Sequence, residues 1–353
     1  MNAQKHKFLI HSKAPIRICD LGGWTDTWFA GHGRVFNIGV SPYAEVQIAA
    51  GVTAKAAGRI VIHAENFEES YTFDPLKNSS SLGWKRHPLL EAAIEYMSPP
   101  RDLDLEITIR SQAPAGAGTG TSAAVSVALL GGLDALSPGR MSSHEIAEAA
   151  WKVETELLGQ QCGVQDQLCS AYGGINYIEI ERYPHASVKQ LNLTGQIYQE
   201  LEGRLALIYL GKSHASSKIH ELVIAAMEGL GPENRYLEAL RATVPAARDA
   251  VNAGDFDDLG QAMVENHRAQ RELHDGLVSA EADRVIEVAR AHGAIGWKVN
   301  GAGGDGGSLT LLCGERLDVK ETMVREIEAE NPDFKNLPVS LCRKGLQVWR
   351  QAL

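Results

Sequence analysis

At 353 residues the chain is long enough for two modest domains or one large one. Its 44% apolar and 22% charged residues are those of a soluble globular protein, and a formal charge of −10 with scattered Lys and Arg argues against nucleic acid or an anionic membrane as the main partner. Cys19, Cys162, Cys169, Cys313 and Cys342 lack CxxC spacing and fit reduced packing residues, and no apolar run approaches the ~18 residues of a membrane span.

The first residues carry basic side chains without the apolar core of a signal peptide, so a cytoplasmic protein is expected. A strand is predicted over 8–15, continuing through Ile16, Arg17 and Ile18 into a polar loop, Asp20-Leu21-Gly22-Gly23-Trp24-Thr25-Asp26-Thr27, with two carboxylates. Short strands follow over 35–40, 44–50, 60–63 and 69–73, then a helix over 89–97. Alternating Leu103, Leu105, Ile107 and Ile109 mark a strand entering the stretch A-P-A-G-A-G-T-G-T-S-A-A at 113–124. There Gly116, Gly118 and Gly120 alternate with small residues just before an apolar helix over 121–136. Glycines let backbone N–H groups approach a ligand, and a helix start leaves its first N–H groups unpaired at a positive dipole end. The turn is therefore a candidate phosphate cradle. It fits neither commoner glycine signature, because Thr121 stands where a P-loop needs Lys and where a dinucleotide fingerprint needs Gly.

Ser142 with Glu145 has the pattern of a capping box and opens a helix predicted to stop at Gly159. Gly163-Val164-Gln165-Asp166-Gln167 opens a shorter helix that ends at Gly173-Gly174, before strands over 175–180 and 188–193. Beyond a boundary placed at 198/199 come a strand over 205–210, a polar loop over 212–218, and amphipathic helices over 217–227, 236–252, 255–273 and 280–292. Strands over 295–300 and 308–313, a helix over 317–329 and strands over 339–342 and 345–349 follow. The loop at 301–307 contains G-x-G-x-x-G, but a strand follows where a dinucleotide site needs a helix. It is read as a close-approach loop facing the first domain.

Four ordered stretches resemble the GHMP kinases, named for galactokinase, homoserine kinase, mevalonate kinase and phosphomevalonate kinase. They are Lys13-Ala14-Pro15-x-Arg17 with Gly22-Gly23-Trp24-Thr25-Asp26; the glycine stretch at 113–124; Glu154-x-Glu156-x-x-Gly159 with Gly163-x-Gln165-Asp166-Gln167 and Gly173-Gly174; and Lys298-x-Asn300-Gly301-Ala302-Gly303-Gly304. The resemblance implies an α+β protein of two domains. Residues 1–198 would form an ATP-binding α/β domain like the second domain of ribosomal protein S5, and 199–353 a ferredoxin-like domain, with the active site in the cleft between them. It also implies ATP and Mg²⁺. By position, Pro114, Gly116, Ala117, Gly118, Thr119, Gly120, Thr121 and Ser122 would cradle the nucleotide phosphates, and Ser122 and Glu154 would hold Mg²⁺. Asp166 would take the proton of the attacking hydroxyl, with Arg17 beside it offsetting negative charge. Gly23, Trp24, Asp26, Gly301 and Gly303, together with Asp166, would line the acceptor site.

Asp26 matches the Asp with which sugar kinases of this family hold pyranose hydroxyls, and a carboxylate accepting from vicinal hydroxyls suits that task. Galactokinases carry Glu-His where this chain has Gly23-Trp24, so the stretch looks closer to bacterial heptose 7-phosphate kinases and to the kinase module of L-fucokinases. The expected activity is phosphorylation of the anomeric hydroxyl of a monosaccharide. The acceptor would be a heptose 7-phosphate, or a hexose or 6-deoxyhexose such as galactose or fucose, and the product a sugar 1-phosphate. Residues 212–218 would either supply cations to a phosphorylated acceptor or form a solvated loop. A cytoplasmic monomer or homodimer acting on a small molecule, with no nucleic-acid or membrane partner, is expected. The alternatives are a mevalonate- or homoserine-type small-alcohol kinase and a sugar-binding regulator that has lost catalysis; retention of Arg17, Ser122, Glu154 and Asp166 speaks against the regulator.

Overall fold

The computed structural model describes residues 8–53, 58–75, 83–137, 140–212 and 216–352. β-Branched and alternating residues at the start of the chain form a long strand, β1 (Phe8–Leu21), antiparallel to β2 (Gly33–Val52). Residues 35–40 and 44–50, expected as separate strands, belong to this one strand. The β1–β2 register shifts between Pro15 and Ile16, so the chain bends at an irregularity in the ladder instead of turning back. The first half continues with β3 (Ile60–Ala64), β4 (Glu69–Phe73), α1 (Pro88–Met97), β5 (Leu103–Ser111), α2 (Thr121–Asp134), α3 (Ser143–Lys152), α4 (Gln165–Tyr172), β6 (Ile175–Arg182) and β7 (His185–Gln190). Ile48, Ile62 and Ile107 of the sheet meet Ile94, Val127, Leu130 and Ile146 of the helices in one buried cluster. α2 is apolar nearly all round because most of its residues are buried in that cluster.

α5 (Gly195–Arg204) was not predicted, since only Leu201 and Arg204 on it are buried and no apolar period announces it. After it come β8 (Leu205–Tyr209), α6 (Ser216–Met227), α7 (Arg235–Ala253), α8 (Phe256–Leu273), α9 (Ala280–Ala291), β9 (Gly296–Val299), β10 (Ser308–Leu312), α10 (Leu317–Glu330) and β11 (Lys335–Leu337). These strands form a four-stranded antiparallel sheet in the order β11-β8-β10-β9, the ferredoxin-like arrangement. Part of the polar loop expected at 212–218 lies outside the described residues.

The strand expected at 339–342 is reduced to an isolated bridge between Leu341 and Val40. The last strand, β12 (Gln347–Ala352), pairs with β1, giving the first sheet the order β12-β1-β2-β5-β3-β4, with β6 joined to β2 and β7 to β6. The chain end thus returns to the first half and covers an otherwise open sheet edge. A second apolar cluster spans both halves, joining Ile16, Ile18, Phe36 and Ile38 to Leu207, Val244, Phe256 and Met263. All five cysteines are free. No helix among the described residues is long and apolar enough to cross a membrane.

Candidate active site

Arg17 lies on β1 between fully buried Ile16 and Ile18 and is itself only 4% exposed. A guanidinium stays in such a place only when paired. Its Nε donates to Asp166 Oδ1 (2.8 Å), its Nη2 to Asp166 Oδ2 (3.2 Å), and its Nη1 to the Gly118 carbonyl. The forked contact fixes the plane of the carboxylate. Burial alone lowers the Arg17 pKa, but Asp166 and Asp20 more than offset it and the net shift is upward. Asp166, in the first turn of α4, keeps 28% of its side chain exposed. The pair is therefore closed at the cation and open at the carboxylate.

The glycine turn presses on that pair. Gly116, Gly118 and Gly120 have φ of +71°, +72° and +67°, a region side chains avoid. Carbonyls of the turn point into the protein: Ala117 O accepts from Ser308 Oγ (2.7 Å), Gly118 O from Arg17 Nη1, and Thr119 O from the Arg17 N–H (2.9 Å). A Cβ at Gly120, the residue before α2, would sit 3.1 Å from the Asp166 carboxyl carbon and 3.3 Å from Arg17 Cγ. Thr121, half-buried, and Ser122, exposed, stand on the first turn of α2, with Pro114 half-buried upstream.

The helix predicted to run to Gly159 opens after Lys152 into a π turn, Val153–Leu157, a feature frequent at functional sites. This turn carries Glu154, which is 3% exposed. Glu154 Oε2 accepts from Gln167 Nε2, while Oε1 has no partner among the described residues. Burial raises its pKa, the Gln167 bond lowers it and Asp166 raises it again, leaving it at about 7. A buried carboxylate oxygen without a donor suits a hard cation, so the residue fits the Mg²⁺ role.

Asp26 is 2% exposed, and its Oδ2 accepts from the Val164 N–H (2.9 Å) and the Gln165 N–H (3.0 Å) at the start of α4. It supports the helix that bears Asp166, and its Oδ1 accepts a long bond from Gln165 Nε2 (3.5 Å). Gly163 has no space for a Cβ against this carboxylate. Burial pushes the Asp26 pKa up to about 6 against the pull of the Gln165 backbone bond. Trp24, with φ +76°, is packed in an apolar cluster with Phe29, Leu240, Leu273 and Ala302, so it walls the junction of the two halves. A Cβ at Gly23 would lie 3.1 Å from Asp20 Oδ2 and 3.2 Å from Gln165 Nε2. One at Gly301 would lie 2.9 Å from Gly118 O and 3.3 Å from Arg17 Nη2. The fold therefore brings Arg17, Asp166, Asp26, Gly23, Gly118, Gly120 and Gly301 together, whereas Gly303 packs against the Leu277 carbonyl.

Asp20 and Lys298 stand in the quoted stretches without a role assigned from the sequence, yet both are buried between the loops, with Lys298 Nζ 3.6 Å from Asp20 Oδ1. The available signal was an Asp between Cys19 and Leu21, three residues after Arg17, where a charge among apolar neighbours survives only with partners.

The family model described as GHMP kinases N terminal domain matches residues 88–174, and the one described as GHMP kinases C terminal matches 247–331. The chain belongs to the GHMP kinase family. This GHMP kinase is 25% identical over 213 residues to the D-glycero-alpha-D-manno-heptose 7-phosphate kinase of Campylobacter jejuni, covering 60% of each chain. It is 30% identical over 209 residues to the galactokinase of Thermococcus kodakarensis, covering 53% of this chain and 58% of the relative. It thus spans about three fifths of the length of the curated relatives it matches. The crystal structure of a D-glycero-D-manno-heptose 1-phosphate kinase from Bacteriodes thetaiotaomicron shares the fold with a TM-score of 0.72 at 22% identity, over 96% of this chain and 98% of that one.

Proposed function

We propose that this GHMP kinase is an ATP-dependent sugar kinase that phosphorylates the anomeric hydroxyl of a monosaccharide, either a heptose 7-phosphate or a hexose or 6-deoxyhexose such as galactose or fucose. The observation that carries the reading is the Arg17–Asp166 pair, buried at the guanidinium, open at the carboxylate, and set against the turn at Gly118 and Gly120. Phosphoryl transfer needs positioning and charge stabilisation more than covalent chemistry from the protein. The acceptor hydroxyl gives its proton to an Asp166 oxygen as its own oxygen bonds to phosphorus and the bond from phosphorus to the leaving diphosphate oxygen breaks. Arg17 holds the carboxylate in plane and stands where negative charge spreads. The glycine turn and the start of α2 offer N–H groups to nucleotide phosphates. Ser122 and Glu154 would hold Mg²⁺, which when bound offsets phosphate charge; the unpartnered Glu154 Oε1 supports that assignment.

A sugar acceptor is supported by the heptose 7-phosphate kinase and galactokinase among the relatives, and by Asp26 beside α4, whose Oδ1 has only a long bond from Gln165 Nε2 for a sugar hydroxyl to replace. Small-molecule substrates and a cytoplasmic monomer or homodimer are part of the same reading. Coupled ADP release with Mg²⁺ tests it across galactose, fucose, mannose, glucuronate and D-glycero-D-manno-heptose 7-phosphate, with ³¹P NMR locating the new phosphate. The expected result is turnover on one of these with the phosphate at the anomeric carbon. Sugar binding without ADP release from any of them would sink the proposal in favour of a non-catalytic regulator.

A further inference from the structure

Asp20, Gly301, Gln270 and Lys298 close a circuit between the two halves of the molecule. The Gly301 N–H lies 3.0 Å from Asp20 Oδ2 and 3.2 Å from Oδ1, and the Gly301 carbonyl accepts from Gln270 Nε2 (2.9 Å). Gln270 Oε1 accepts from Lys298 Nζ, which returns to Asp20 Oδ1 at 3.6 Å. The Asp20, Gln270 and Lys298 side chains are buried, so the circuit ties β1 to α8 and β9 out of solvent. Burial pulls the Lys298 pKa down while Asp20 holds it up. Asp20 also meets the proposed catalytic pair, because Arg17 Nη2 is 3.8 Å from its Oδ2. Arg17 and Lys298 are thus balanced by Asp20 and Asp166. Without Asp20, Arg17 would keep Asp166 alone and buried Lys298 would lose the carboxylate it is paired with. The fit of Gly301 against Gly118 O means that a shift in the 301–304 loop passes directly to the glycine turn.

We infer that Asp20 is a positioning residue: it aims Arg17 at Asp166 and locks the Gly301 loop of the second half onto the glycine turn of the first. The inference rests on the kinase reading only for its turnover readout. A second readout is independent of any acceptor: hydrogen exchange at the Arg17 Nε–H, which the Asp166 bond protects, followed by ¹⁵N NMR.

The variants are Asp20→Asn, Lys298→Met and the charge-balanced double variant, which stands in if Asp20→Asn alone does not fold. Both proteins lacking the carboxylate should lose about 10²-fold in turnover with KM for acceptor and for ATP within about threefold, the mark of a misaimed group and not of lost binding. Their Arg17 Nε–H should exchange at least about tenfold faster than in the wild type. Lys298→Met keeps Asp20 and its Gly301 bond and should hold turnover within about tenfold. Wild-type turnover and exchange in either Asp20 variant, a loss of melting temperature alone, or a Lys298→Met protein as impaired as Asp20→Asn would each overturn the inference. If the wild type turns over no sugar, the kinase reading falls and the exchange measurement alone decides the role of Asp20.

Discussion

Asp166 and Asp26, which both lie at the start of α4, are treated oppositely by their surroundings. Asp166 is held by a guanidinium and open to solvent, which suits a group that must receive a proton from a bound hydroxyl. Asp166→Asn keeps the shape and removes that capacity. Turnover should fall by about 10²- to 10⁴-fold with ADP affinity nearly unchanged, as steady-state kinetics and calorimetry would read it. Asp26 is buried among backbone N–H donors, and its pKa rises from the ordinary 3.8 to about 6. The folded protein therefore binds this proton more tightly than the unfolded chain, so the group favours folding below pH 4 and loses that contribution as pH climbs through 6. Above that window the charge costs roughly 3 kcal/mol. Asp26→Asn keeps an oxygen for the Val164 and Gln165 N–H groups and can present its amide to Gln165 Oε1, which has no partner among the described residues. The variant should melt higher than the wild type at pH 8, with the difference shrinking towards pH 5, while its acceptor KM rises. A lower melting temperature at pH 8 would show that the Asp26 charge is fully compensated.

Elements matter here mainly through their ends. α2 and α4 start side by side, one opened by Gly120 and the other supported by Asp26, and the reacting groups of the proposal gather at those starts. Gly120 cannot be replaced cheaply, since its φ of +67° disfavours a side chain and the Cβ would meet the Asp166 carboxyl carbon at 3.1 Å. Gly120→Ala should lower stability by about 1–2 kcal/mol and reduce turnover more than that loss of folded protein explains. Urea denaturation beside kinetics at a temperature where the variant is folded separates the two effects. Turnover at the wild-type level would mean that Asp166 tolerates the displacement. α3 shows the complementary case: its capping box at Ser142 and Glu145 formed as predicted, but the helix slackens into the π turn that carries Glu154.

Across the whole molecule, the two halves meet through apolar packing and buried polar staples. Besides the Asp20 circuit, Arg241 of α7 donates to the carbonyls of Pro232 (2.8 Å), His32 (2.9 Å) and Ala30 (3.0 Å), and is 4% exposed. Arg241→Met leaves those carbonyls without that donor and should cost about 3 kcal/mol or more, read as a lower urea midpoint. Because one apolar cluster spans both halves, tryptophan fluorescence and far-UV circular dichroism should still report one coincident transition in the variant. Two separated transitions would show that Arg241 couples otherwise independent units.

What the sequence by itself determined is local. The alternation from Leu103 to Ser111, the Ser142 capping box, the alternating glycines at 116–120 and the strand after the 301–307 loop depend on chain neighbours and backbone freedom, and each formed as expected. The ordered motifs also carried the family, because their spacing is a property of the chain. Tertiary structure alone decided the rest. It made one bent strand of two expected ones, returned the chain end to β1, packed Trp24 in the junction, and joined Asp20 to Gly301 across 281 positions. These outcomes depend on which groups burial forces to find partners, and those partners lie far away along the chain.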